Sequence, residues 1–253
     1  MLKRGQVSIF VIIGVAVLAI FFLVFYFRSE IIYNFVPASD VEKELNVKMQ
    51  SFSQHVGECI EKEGNNVLKM IGENGGILNP VNTLEYKNKS WIVLCTKVSE
   101  EKYCVRNVIS KGDIAILINT YLDKTIKQCI DISLYISDPD FTLSTGQMNV
   151  NTTIGQKAII INLDYSVEMQ KGNITKEKEK FTKIFEVALA DVIDMANDVL
   201  EGEAKGGFTT AGYTPVLLND YTIKSETFLN NRFITVIDSK SDFEFKFACE
   251  REK

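Results

Sequence analysis

From Val7 to Phe27 the chain reads VSIFVIIGVAVLAIFFLVFYF, and no side chain in that run is charged at neutral pH. As a helix it rises roughly 31 Å, the thickness of a bilayer's hydrocarbon core. A buried core helix seldom runs this far without a polar face. A cleaved secretory signal has a shorter apolar stretch, about 7–15 residues, closed by a small-x-small site. Here the nearest such site, Pro37-Ala38-Ser39, lies well beyond the run, so an uncleaved anchor is expected. Lys3 and Arg4 precede the run, while Arg28 and Glu30 follow it without net charge, which keeps the N-terminus cytoplasmic. Later apolar stretches, 114–118 and 158–163, have the length of core elements. The expected organisation is a cytoplasmic N-terminus (1–5), a transmembrane anchor (6–27), a stalk (28–38) and an extracytoplasmic domain (39–253) with a possible split near Pro139. The chain is thus expected to sit in the cell membrane as a single-pass protein with its body outside.

Lys3-Arg4-Gly5-Gln6-Val7-Ser8 resembles the class III signal peptides of archaeal type IV pilin-like proteins, where a basic pair and Gly precede a Gln-x-Ser start. The resemblance implies cleavage between Gly5 and Gln6 by a prepilin peptidase, with the apolar helix retained. It departs at Phe10, where filament-forming members carry a Glu that neutralises a neighbouring subunit's terminal amine; without that carboxylate, filament assembly lacks this contact. Val56-Gly57-Glu58-Cys59-Ile60, Gly75-Gly76-Ile77, Gln128-Cys129-Ile130-Asp131 and Phe245-Lys246-Phe247-Ala248 are similar, in that order, to segments of membrane-anchored archaeal proteins of unknown function. That likeness lends no activity.

The body reads as α+β. Ser39-x-x-Glu42 forms a capping box, and Leu45, Met49, Phe52, Val56, Ile60, Val67 and Ile71 recur at helical spacing until Gly72 and Gly75-Gly76. This predicts a long amphipathic helix. A second helix is expected over 112–130, with short strands at 84–86, 91–95 and 103–108. Met148, Val150, Thr152 and Ile154 alternate with polar residues, and after Gly155-Gln156 the alternation resumes from Ile159 to Met169. That is an antiparallel hairpin with one wet face. Lys176-Glu177-Lys178-Glu179-Lys180 reads as an edge ribbon guarded by charge. A helix over 185–203 and a last hairpin at 233–249, with Phe243, Phe245, Phe247 and Cys249 on one face, complete the domain.

Five cysteines in an extracytoplasmic body point to disulfides. Cys59 and Cys129 fall on the apolar faces of two helices and are the expected bridge. Cys95 and Cys104 can join neighbouring strands, and Cys249 is left as a buried thiol; the alternative is that all five are reduced core residues. His55, the sole histidine, is four residues from Cys59, which makes a thiol–imidazole pair conceivable but supplies too few ligands for a metal. Asp191, Asp194, Asp198 and Glu201 form a carboxylate stripe that reads as a solvated helix face, because one helix cannot converge six oxygens on a cation. Sequons stand at Asn88, Asn151 and Asn173, candidates for glycosylation.

Phosphate-binding glycine loops and nucleophile elbows are absent. With 28 Lys+Arg against 33 Asp+Glu, and two of the basic residues before the anchor, the body is acidic and repels nucleic acid. No cofactor is expected. The function expected is non-enzymatic: a surface protein that binds a partner or belongs to an envelope or pilus-like assembly. The alternatives are a membrane-tethered hydrolase using carboxylates or Cys59 and His55, and the ligand-sensing subunit of a membrane complex.

Overall fold

The computed structural model describes residues 4–26, 38–97, 104–135, 140–207 and 220–250. Helix α1 spans Arg4–Tyr26, with Gly5 and Gln6 in its first turn. Its described side chains, residues 13–26, are all exposed, from Ile13 at 53% to Tyr26 at 82%. Among the described residues no helix is long and apolar enough to cross a membrane. The stalk and Pro139 lie outside the described residues.

Helix α2 runs over Ala38–Glu73 and α3 over Lys111–Cys129, as their spacing predicts. Strands follow as β1 (Thr83–Tyr86), β2 (Lys89–Lys97), β3 (Cys104–Arg106), β4 (Phe141–Ile154), β5 (Ile159–Lys171) and β6 (Ile174–Phe185). Helix α4 (Leu189–Ala204) precedes β7 (Tyr221–Phe228), β8 (Asn231–Asp238) and β9 (Phe243–Cys249). The architecture is α+β, with a three-stranded sheet ordered β4-β5-β6 and a six-stranded sheet ordered β1-β2-β9-β8-β7, in which β3 also pairs with β2.

Two compact units form, one from Met1–Ser51, Ser133–Ser144 and Glu168–Glu177, the other from Phe52–Ile132, Thr145–Val167 and Lys178–Lys253. In the first, the Lys48 ammonium sits 4.4 Å over the Phe141 ring. Lys171 and Lys176 reach Glu44 and Glu42 at 2.9 and 2.8 Å. The charged ribbon on edge strand β6 thus spends Lys176 on an ion pair in this unit.

In the second unit the buried face of α2, with Phe52, Val56, Ile60, Val67 and Ile71, joins Ile114, Ile118, Leu122 and Ile126 of α3 in the core. Cys59 and Cys129 tie the two helices, Cα atoms 5.8 Å apart. Gly75 and Gly76 end α2 at φ +56° and +90°, left-handed backbone that favours glycine. A Cβ on Gly75 would also come within 2.7 Å of Ile92 and 2.9 Å of the Lys246 carbonyl. Ile92, Leu94, Ile234, Val236, Phe245 and Phe247 bury the sheet's inner face, and α4 packs across β2, β3, β8 and β9.

Three features depart from expectation. The last helix begins at Leu189, because Phe185 ends β6, buried at 7%. Strand β7 pairs with β8 through Tyr221↔Asp238 to Phe228↔Asn231, although no alternation announces it. And β2 inserts parallel to β9, with Val93↔Ala248 and Cys95↔Cys249, so the larger sheet is mixed rather than wholly antiparallel.

Asp238 joins the end of β8 to the start of α4. Ala188, the residue capping α4, has no side chain that can accept a bond. Asp238 supplies the acceptor instead: Oδ2 takes the Ala188 N–H at 3.2 Å and the Ser241 hydroxyl at 2.6 Å, and Oδ1 takes the Lys240 N–H at 3.0 Å. Burial pushes this carboxyl up, but the bonds from Ser241, Lys240 and Ala188 together outweigh it and hold it below the ordinary Asp range. A carboxyl lower in the folded than in the unfolded chain, about 3.9 in the latter, stabilises fully above that value and loses its contribution as pH falls through the folded value. Urea midpoints are therefore expected to stay level down to about pH 5 and to decline below about pH 4. Asp238→Asn is expected to start lower and decline less; a variant as acid-sensitive as the parent would place the acid loss elsewhere.

Candidate binding face

Residues paired directly across strands share a face. The registers Leu84↔Trp91, Tyr86↔Lys89, Val93↔Ala248, Phe233↔Ala248, Thr235↔Lys246, Lys224↔Thr235 and Glu226↔Phe233 therefore set one outer face on the larger sheet. Val93, Phe233 and Ala248 are buried there beneath Leu84, Tyr86 and Trp91. Tyr86 stacks on Phe233, centroids 4.3 Å apart and planes 17° from parallel. Trp91 meets Phe233 edge-on at 5.5 Å, and Phe228 tilts against Tyr86 at 5.4 Å while staying 47% exposed.

The turns carry these rings into place. Lys87 and Asn88, at φ 51° and 59°, make a tight two-residue connection between β1 and β2, and Leu229 and Asn230, at 47° and 68°, do the same between β7 and β8. Beside the rings lies a shallow cup of about 160 Å³, lined by Tyr86, Trp91, Phe233 and Thr235 and rimmed by lysines and by Glu226.

The rim charges are not equivalent. Glu226 accepts from the Tyr86 hydroxyl and the Lys87 ammonium, both at 2.5 Å. The bond from Lys87 first, then that from Tyr86, holds its carboxyl below the usual range. Lys246 pairs with Glu244 at 2.6 Å, and that bond is the main reason the Glu244 carboxyl is low, with Lys224 and Lys89 adding to it from further off. Among the described residues, the Lys89 and Lys224 side chains make no hydrogen bond or close ion pair, and their charges act on Glu244 only from a distance. The buried indole N–H of Trp91 likewise finds no acceptor among them. Half-buried rings beside two lysines that lack a close anionic partner can hold a ligand. A larger hollow of about 540 Å³ lies on the wet side of the three-stranded sheet, lined mainly by polar side chains such as Asn149, Ser166, Asp164 and Lys180.

The residues singled out from the sequence lie elsewhere. Cys59 and Cys129 form the expected disulfide, which removes Cys59 from any thiol–imidazole chemistry with His55. Cys95 and Cys104 form a second, Cα atoms 5.3 Å apart, and Cys249 is buried outside both. The carboxylate stripe is held by its neighbours. Asp191 accepts from the Tyr221 hydroxyl at 2.8 Å, Asp194 from Lys111 at 2.6 Å, and Glu201 pairs with Lys205 and Arg106. Burial, then Glu201 and Asp194, push the Asp198 carboxyl up. No three His, Cys, Asp or Glu side chains among the described residues are placed to hold a metal ion. Asn88, Asn151 and Asn173 are all exposed, Asn88 in the turn beside the aromatic face. The face itself escaped sequence reasoning, because its residues span positions 84 to 248 and only the parallel β2–β9 pairing assembles them.

Compared with family models, with curated proteins and with solved structures, the chain matches none.

Proposed function

We propose that this is a membrane-anchored surface protein without enzymatic activity, whose outer sheet face docks a ligand or partner. The observation that carries the docking half is the aromatic cluster itself: Tyr86 and Trp91, half-buried, and Phe228, 47% exposed, share one sheet face, and exposed apolar patches mark interaction surfaces. The anchor half draws on α1, whose described side chains are apolar and exposed all round, continuing an uncharged run that begins at Val7. Two disulfides fit an oxidising compartment outside the cytoplasm. The resemblance around Gly5 and Gln6 adds processing by a prepilin peptidase, readable as a mature N-terminus at Gln6 by intact-protein mass spectrometry.

The full-length chain is expected to stay with the membrane through alkaline carbonate extraction. Ile13→Arg with Val17→Arg, each costing about 2.5–3.5 kcal/mol at a helix centre in the bilayer, is expected to release it. Release of the unsubstituted chain would remove the anchor. The docking half is tested by placing p-benzoylphenylalanine at Phe228 on intact cells, with the exposed Lys157 position as control. An adduct from Phe228 but not Lys157 is expected; equal labelling, or none, would remove the docking face.

A further inference from the structure

We infer that the ligand of this face is a saccharide bearing a carboxylate, a uronic-acid unit whose ring lies against Tyr86 and Trp91 and whose carboxylate meets Lys89 and Lys224. This rests on the face being a docking surface. The cup's volume, about 160 Å³, suits one six-membered ring better than a helix or a folded protein surface. A pyranose has an apolar C–H face and a polar edge, which matches the half-buried rings of Tyr86 and Trp91, with their negative π-faces, beside the Thr235 side chain.

Charge narrows the class. Lys87 is spent on Glu226 and Lys246 on Glu244. Lys89 and Lys224 remain, one from β2 and the other from β7, with β9 and β8 between their strands. Two cations suit one carboxylate. A nucleic acid draws most of its affinity from many neutralised phosphates, which two lysines cannot supply on a chain of net charge −5 whose face also carries Glu226 and Glu244.

Trp91 is the only tryptophan, so its fluorescence reports the cup directly. The full-length chain in detergent is titrated with trigalacturonate, with neutral galactotriose and with a short uridine oligonucleotide. A saturable change in Trp91 emission is expected with trigalacturonate, weakened by added salt. Binding is expected to fall about tenfold or more with galactotriose, and by as much with trigalacturonate in the variant Lys89→Ala with Lys224→Ala. Both lysines are exposed, and unchanged circular dichroism checks that the variant folds. Equal affinity for the neutral sugar would overturn the carboxylate assignment, and tighter binding of the oligonucleotide would overturn the saccharide class. Silence with all three probes also overturns it. If the Phe228 crosslink then still forms, the docking face stands with another ligand; if neither signal is seen, both fall.

Discussion

Replacing Cys59 and Cys129 together by alanine is expected to lower the unfolding free energy by about 4 kcal/mol. The bridge closes a loop with a sequence separation of 70, and loop-closure entropy removed from the unfolded chain grows with the logarithm of that length. The Cys95–Cys104 pair, separated by nine, is worth only about 2.5 kcal/mol on the same account. At roughly 2–4 °C per kcal/mol for a chain of this size, the first change is a drop of about 8–16 °C in Tm. Urea unfolding of the double variant, with the parent measured in the presence and absence of reductant, checks both numbers. Reduced parent and double variant are expected to converge once the smaller contribution of the second bridge is subtracted. Losses of equal size for the two bridges would mean that strain or residual structure, rather than loop length, sets their worth.

Arg232→Met is expected to cost about 3–5 kcal/mol. Arg232 projects from β8 to Glu203 in the last turn of α4, and the two side chains are 20% and 1% exposed. With the guanidinium gone, a carboxylate that is only 1% exposed loses its Arg232 partner, and breaking a buried pair from one side is among the costlier single changes. The pair itself can be worth little, since bringing both charges out of water offsets much of their attraction. Arg232→Met with Glu203→Leu is therefore expected to recover most of the loss. A double-mutant cycle by urea unfolding separates the cases. A double variant as unstable as Arg232→Met alone would show that the pair contributes in its own right rather than only completing a buried site.

Periodicity made the local elements legible. The apolar residues of α2 and α3, and the alternation from Met148 to Met169, each repeat a pattern that only one kind of element can bury. The end of α2 was legible too, since Gly75 and Gly76 are residues that tolerate the positive φ they adopt. The cysteine pairing followed from the helical faces carrying Cys59 and Cys129. Strand β7 was not legible: Lys224, Ser225, Glu226 and Thr227 are all exposed, so an edge strand there leaves no apolar alternation. The start of α4 was misplaced because Phe185 fits an apolar helix position as well as the buried end of a strand, and its burial partner decides between them.

The sequence by itself determined the apolar run from Val7 to Phe27, the α+β class, the main helices and hairpins, and the candidate partners for the disulfides. These depend on neighbours within a few residues, where spacing maps directly onto geometry. Only the tertiary structure decided that β2 lies parallel to β9, that Asp238 caps α4, and that Tyr86, Trp91, Phe228 and Phe233 meet on one face with Lys89 and Lys224 beside them. Those depend on contacts between segments remote in sequence, fifty residues apart for Asp238 and Ala188 and more than a hundred for β2 and β9, and such pairings are selected by the burial of the whole sheet rather than by any signal in either strand.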